Sequence, residues 1–184
     1  AWSKTPFKLA TTLAGKTVGI VGMGRIGQDL AKRLEPFKVE IAYSGPSPKQ
    51  APYTYYRDIK DLARNSDVLF LACPATPETN KMVNQEVLEA LGPAAFLINI
   101  ARGSVVNEEA LLYALQHKKI AGAALDVFEN EPNPNPAFLR LDNVLLTPHI
   151  GSATTETRIA MTNLAVDNLE AFFAQQPLLS EVSN

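Results

Sequence analysis

The stretch Lys16–Gly27, KTVGIVGMGRIG, decides how this chain is read. A short apolar run, Val18 to Val21, ends in Gly22-Met23-Gly24-Arg25-Ile26-Gly27, after which Ile26, Leu30, Ala31 and Leu34 fall at spacings of three and four. The first pattern is that of a strand and the second that of a helix. Each glycine between them has a physical task. Gly22 lets the chain turn sharply off the strand, Gly24 has no Cβ to hold a pyrophosphate away from the backbone, and Gly27 lets the helix lie close on the sheet. The N–H groups at the helix start, around Arg25 and Ile26, and the helix dipole then face the phosphates. Strand, G-x-G-x-x-G and helix in this order predict a dinucleotide site; the competing reading is a purely structural strand–helix turn.

The 184 residues suffice for one domain with a real core, and the 46% apolar content is that of a globular protein. A net charge of −2 points to no nucleic-acid partner. No run approaches the roughly 18 apolar residues of a membrane span, and no membrane partner is expected. The single cysteine excludes an internal disulfide and suits a reducing cytosol, so a cytoplasmic protein is expected. Residues 1–14 read as a linker arm, with Trp2, Phe7 and Leu9 available for surface packing.

Along the chain, apolar runs alternate with helical patterns. Val39–Tyr43 reads as a second strand with Val39, Ile41 and Tyr43 on one face. It ends about twenty residues after the glycines, where an NAD site usually carries an acid for the adenosine ribose. Here Ser44-Gly45-Pro46-Ser47-Pro48-Lys49 stands instead. A carboxylate would repel a 2′-phosphate by roughly 1–4 kcal/mol per charge pair. Its absence, with Ser44, Ser47 and Lys49 available to hold the phosphate, favours NADP(H), with NAD(H) possible. A short helix is expected over 58–65, and a strand covered on both faces over Val68–Ala72, leading to Cys73-Pro74 at the cofactor side. No base or cation stands near Cys73 in sequence to activate it, so it reads as an inert thiol beside the cofactor. Asn84 and Asn107 read as caps of the helices 85–91 and 108–117. Ala95–Ile100, Ala121–Leu125 and Val144–Leu146 read as further strands, and 154–173 as a long amphipathic helix with Ile159, Leu164, Val166 and Leu169. The whole pattern predicts a doubly wound parallel α/β sheet with helices on both faces.

Three ionisable residues follow strands on the ligand side: Arg102, Glu131 and His149. His117, in the last turn of a helix, reads as structural. Taken together, the three meet the needs of carbonyl reduction. Hydride addition leaves negative charge on the former carbonyl oxygen, and a histidine is suited to supply the proton. A carboxylate near an imidazole favours its charged form. A guanidinium can hold the carboxylate of a 2-oxo acid through paired hydrogen bonds and so align its carbonyl.

The stretches GKTVGIVGMGRIG, Cys73-Pro74 with Thr76 and Thr79, LINIARGSVVNEEAL, GAALDVFENEP and NVLLTPHIGSAT together resemble the D-isomer-specific 2-hydroxyacid dehydrogenases over nearly the full length. That resemblance implies a Rossmann-type fold, with Arg102 of the A-R-G motif binding substrate, Glu131 of E-P pairing with the histidine, and His149 of P-H-I-G as acid/base. It implies Asp126 at the nicotinamide carboxamide, and Ile100, Ala101, Arg102, Thr79, Cys73, Pro74, His149 and Gly151 facing the cofactor. The stretch YSGPSPK is most similar to NADPH-preferring glyoxylate/hydroxypyruvate reductases, implying a small 2-oxo acid substrate. A homodimer is the family expectation.

The family's substrate domain is formed mostly by residues preceding the first one here. Residues 1–184 are therefore expected to be a dinucleotide-binding domain, its segment 152–184 returning to that other domain. Alone it is expected to bind cofactor with little turnover. Two other readings fit the same motifs: a 3-phosphoglycerate-type dehydrogenase, and a dinucleotide-sensing corepressor. Formate enzymes of this fold carry Gln where Glu131 stands.

Overall fold

The computed structural model describes residues 10–181, so the expectations for Trp2, Phe7 and Leu9 lie outside the described residues. The chain divides after Pro148 into two compact units. In the first, seven strands form one sheet: β1 (Thr17–Val21), β2 (Glu40–Ser44), β3 (Thr54–Tyr56), β4 (Val68–Leu71), β5 (Phe96–Asn99), β6 (Gly122–Leu125) and β7 (Val144–Leu146). Their order is β3-β2-β1-β4-β5-β6-β7 and every pairing is parallel. This is the doubly wound sheet the alternation predicted, with the order reversing between β1 and β4. The edge strand β3 was not legible in the sequence. Three residues, TYY, are too short to show an alternation, and a proline-rich loop precedes them.

Helices α1 (Arg25–Leu34), α2 (Ile59–Arg64), α3 (Gln85–Leu91) and α4 (Glu108–Gln116) complete this unit. Three of them begin where the sequence supplies a cap: Asp58, Asn84 and Asn107 accept the N–H groups of Lys60, Val87 and Ala110. Leu62, Val87, Leu88, Leu111 and Leu115 meet Leu69, Leu71, Leu97 and Leu125 in the larger core. On the other face α1 places Ala31 over Val18, Ile20, Ile41 and Tyr43. His117 caps α4, stacks on Tyr113 at 4.1 Å between ring centroids, and its Nδ1 lies 2.9 Å from the Tyr113 carbonyl, as a structural residue would.

Coverage of the two faces is unequal. The α1 side carries the apolar row Val68, Phe70, Phe96, Ile98, Ala124 and Leu145. Within it Phe96 is 44% and Leu145 65% exposed, and Val68 and Phe70 are only half-buried. β4 is covered on both faces as expected, Leu69 and Leu71 fully and Val68 and Phe70 partly, against the cluster under α1; β5 and β7 are the strands left uncovered on that side. The crossovers after the reversal place α3 and α4 against one face alone, and α1 reaches only the strands beside it.

The second unit holds α5 (Thr155–Phe173), capped by Thr154, whose Oγ1 accepts the Thr157 N–H at 3.1 Å. Asn168 ties the irregular tail back, its Oδ1 accepting the Ser180 N–H at 3.2 Å. The expected amphipathic stripe is absent. At about 100° per residue, Ile159, Val166 and Leu169 share one side, whereas Met161, Leu164 and Phe172 lie on the other. None of the residues of α5 is buried. Among the described residues no helix is long and apolar enough to cross a membrane.

Two tests of this packing follow. A Cβ at Gly27 would run into the Gly22 carbonyl oxygen, which is backbone and cannot step aside. Gly27→Ala should cost about 1–3 kcal/mol in urea unfolding, as overpacked sites do. At the start of β4, Asp67 accepts from Lys16 Nζ at 2.9 Å and from the Thr17 N–H at 2.9 Å. The Lys16 bond and then the Thr17 N–H hold the Asp67 carboxyl below the usual carboxylate range. A depressed folded-state pKa contributes stability above the unfolded value of about 4 and loses it as the pH falls through the folded one. Both side chains are about one-third exposed, which limits the contribution to about 1 kcal/mol or less. Wild type should therefore exceed Asp67→Asn in unfolding free energy at pH 7, and the difference should vanish on titration below pH 4.

Candidate dinucleotide-binding site

In a parallel sheet, ligands lie beyond the carboxyl ends of the strands, next to the point where the order reverses. Gly22 leaves β1 at φ +98°, and a Cβ there would lie 2.7 Å from the main chain of Cys73. Its N–H donates to the Ser44 carbonyl at 2.9 Å, so the turn is seated against the ends of both neighbouring strands. Gly24 is the N-cap of α1 and offers no side chain to the first-turn N–H groups. A Cβ built on Gly24 meets nothing within 4 Å. Arg25 and Ile26 beside it are exposed. An open α-carbon next to an uncapped helix start is a cradle into which a pyrophosphate fits, with the dipole of α1 directed at it.

Beyond β2, the loop 45–49 is held by two tyrosines. The buried Tyr43 hydroxyl accepts the Lys49 N–H at 2.7 Å and lies 3.2 Å from the Lys49 carbonyl, while Tyr55 Oη donates to the Gly45 carbonyl at 3.0 Å. Ser47 and Lys49 are exposed, whereas Ser44 is only 5% exposed. Neither tyrosine was singled out by the sequence, where Tyr43 read as an ordinary strand residue and Tyr55 fell in a stretch with no strand pattern.

Beyond β4, Cys73 is half-buried, and burial pushes its thiol up from the ordinary range. A protonated thiol at neutral pH agrees with its reading as inert. Pro74 is exposed. Thr79 Oγ1 accepts the Thr76 N–H and donates to the Pro74 carbonyl, each at 2.8 Å, so its hydroxyl shapes this loop.

Beyond β5, the buried Asn99 organises the turn. Its Oδ1 accepts the Ala101 N–H and its Nδ2 donates to the Arg102 carbonyl, both at 3.0 Å. An amide in the apolar run AFLINI was the available signal for it. Ile100 is 37% exposed and Ala101 is buried. Arg102 is exposed, and its Nη1 donates to the Ala101 carbonyl at 2.6 Å. Beyond β6, the Asp126 carboxylate accepts the Thr147 hydroxyl at 2.6 Å, and Glu131, exposed, accepts the Phe128 N–H at 3.0 Å. The Gly103 backbone abuts the Phe128–Glu129 peptide so closely that no Cβ fits between them. The structure therefore brings the Arg102 turn and the Glu131 loop together within the first unit. His149 and Gly151 open the second unit, His149 exposed and in the left-handed region at φ 54°.

Residues 1–151 match the family described as D-isomer specific 2-hydroxyacid dehydrogenase, NAD binding domain. A hydroxyphenylpyruvate reductase from Plectranthus scutellarioides is 50% identical over 183 residues, which are 99% of this chain and 58% of that protein. A glyoxylate/hydroxypyruvate reductase from Arabidopsis thaliana is 48% identical over 182 residues, 98% of this chain and 58% of that one. Among solved structures, the NADPH-dependent glyoxylate/hydroxypyruvate reductase of Sinorhizobium meliloti in complex with NADP and malonate superimposes with a TM-score of 0.93 at 49% identity, covering 96% of this chain and 56% of that one. The chain thus spans less than two thirds of the length of these relatives. With more than four fifths of its residues matched, it belongs to the NAD binding domain family of the D-isomer specific 2-hydroxyacid dehydrogenases.

Proposed function

We propose that this chain is the cofactor domain of an oxidoreductase that moves a hydride between NADP(H) and a small 2-oxo or 2-hydroxy acid of the glyoxylate/hydroxypyruvate kind. The observation that carries this reading is the open cradle at Gly24, lying at the same end of one sheet as the turns bearing Arg102 and Glu131. Family membership and the names of the relatives support the same reaction class. For the cofactor, the loop after β2 has no carboxylate and exposes Ser47 and Lys49, and the Sinorhizobium meliloti relative was solved with NADP. A 2′-phosphate meets no repelling charge there.

When bound, the dinucleotide supplies the hydride. The first-turn N–H groups of α1 would hold the pyrophosphate, and Gly24 would let it approach the main chain. Asp126, fixed by Thr147, would hold the nicotinamide carboxamide, the role its L-D-V-F motif implies. Arg102 pairs with the substrate carboxylate through two parallel hydrogen bonds and aligns the carbonyl. His149 delivers a proton to the carbonyl oxygen as negative charge develops on it, and takes it back in the oxidative direction. Glu131 takes the part of the histidine's carboxylate partner that its E-P motif implies.

Binding and chemistry can be tested separately. Gly24 has an extended φ of −81° and room for a methyl group, so Gly24→Ala should change stability by less than about 1 kcal/mol, the size of an N-cap effect. Calorimetric titration should show its affinity for NADPH reduced roughly tenfold or more, a loss of about 1.4 kcal/mol. Wild type should bind NADPH more tightly than NADH; tighter NADH binding would remove the argument from Ser44–Lys49. With the substrate domain present, His149→Asn should lower kcat by about 10²–10⁴-fold with glyoxylate, hydroxypyruvate or hydroxyphenylpyruvate, a loss far larger than any change in the dissociation constant for NADPH. Retention of the wild-type rate would overturn the assignment of His149.

A further inference from the structure

We propose that Glu108, a buried carboxylate to which the reaction above gives no part, is a positioning residue that locks the Glu131 loop onto the Arg102 turn. The inference rests on the proposed function only for the roles of Arg102 and Glu131.

Glu108 is 9% exposed in the first turn of α4. An acid at that position is usually explained by the helix dipole, and such an acid works from solvent. Its neighbour Glu109, which is exposed, satisfies that explanation. Glu108 is instead turned inward, and its Oε1 accepts the N–H of Glu129 at 2.7 Å, from a residue 21 positions away. Glu129 stands two residues before Glu131, whose own Oε1 accepts the Phe128 N–H at 3.0 Å. Consecutive main-chain N–H groups are thus gripped by two carboxylates, one from the loop itself and one from α4.

The platform from which Glu108 acts is itself fixed. The Asn107 N–H donates to the Val83 carbonyl at 3.0 Å, and the Lys81 N–H donates to the Ser104 carbonyl at 2.7 Å. These bonds tie the start of α4 and the turn after Arg102 to one neighbouring segment. Gly103 then lets the Arg102 turn press directly on the Phe128–Glu129 peptide. Lys81 Nζ also lies 3.5 Å from Glu129 Oε1, but that pair is half-exposed and holds weakly. The part-buried, charge-assisted bond that Glu108 accepts is shorter and the stronger tie. Removing it leaves the Glu129 N–H without its acceptor and frees the loop that presents Glu131. A displacement of about 1 Å at such a group is enough to cost roughly a hundredfold in rate.

The test compares Glu108→Ala with Glu108→Gln in the enzyme carrying its substrate domain. Gln keeps a carbonyl oxygen able to accept the same N–H. Hydrogen exchange at the Glu129 amide should accelerate in Glu108→Ala and stay slow in Glu108→Gln. In parallel, kcat should fall roughly ten- to a hundredfold in the Ala variant, with the NADPH dissociation constant unchanged, and return toward wild type in the Gln variant. Unaltered Glu129 exchange in Glu108→Ala overturns the proposal. Equal loss in both variants overturns it too, as does uniformly faster exchange along α4 with a matching loss of NADPH affinity, since either would mark a merely structural residue. A wild type that reduces no 2-oxo acid would sink the proposed function instead, while exchange at Glu129 would still decide whether Glu108 holds the loop.

Discussion

Helix α1 approaches the turn after β1 so closely that position 27 has no space for a side chain. The geometry of the cofactor side follows from this contact. It draws the start of α1 to the carboxyl end of β1, where its uncapped N–H groups stand at the reversal of the sheet. The turn between them is then held from both sides. Gly22 takes a positive φ against the main chain of Cys73 and donates to the Ser44 carbonyl. Three strands therefore fix one short loop, and the cradle needs no side chain of its own. Rigid main-chain donors suit an anion because they lose little conformational entropy when it binds.

The same reversal makes the unit lopsided. Right-handed crossovers on one side of β1 place α1 on one face, and those on the other side place α2 to α4 on the opposite face. Parallel strands are ordinarily covered on both faces. Here Phe96 and Leu145 remain exposed where α1 does not reach. Apolar runs such as VLFL and AFLINI look fully buried when read along the chain. Hydrophobicity records what a face is built to meet, whereas coverage depends on which way each crossover turns.

That distinction explains what could be read in the sequence. The strand–glycine–helix order, most strands, the caps Asn84 and Asn107, and the turns carrying Arg102 and Glu131 are local features, written in runs of a few residues. Strand β3 escaped because an edge strand of three residues carries no periodicity. The side of α5 was misjudged because apolar residues at irregular spacing encircle a helix as readily as they line it. Thr147 and Glu108 escaped for a different reason: neither stands out in its own stretch, and what each does is set by the main chain or side chain it meets in the fold.

Tyr43, Asn99 and Glu108 follow a common rule. At the ends of β2, β5 and β6, a side chain anchored in a strand or helix grips the loop on the cofactor side: Tyr43 the loop after β2, Asn99 the turn after β5, and Glu108 the loop after β6. Loops are the mobile part of an α/β domain, and a group that meets a substrate from a loop gains precision only from what restrains that loop. Arg102 illustrates the result. Its turn is shaped by Asn99, pressed against Phe128 through Gly103, and its guanidinium is drawn back onto the Ala101 carbonyl. The glycine that lets the pyrophosphate approach and the glycine that couples Arg102 to the Glu131 loop thus act by opposite means. Gly24 leaves space for a ligand, and Gly103 removes space between two loops so that they move as one body.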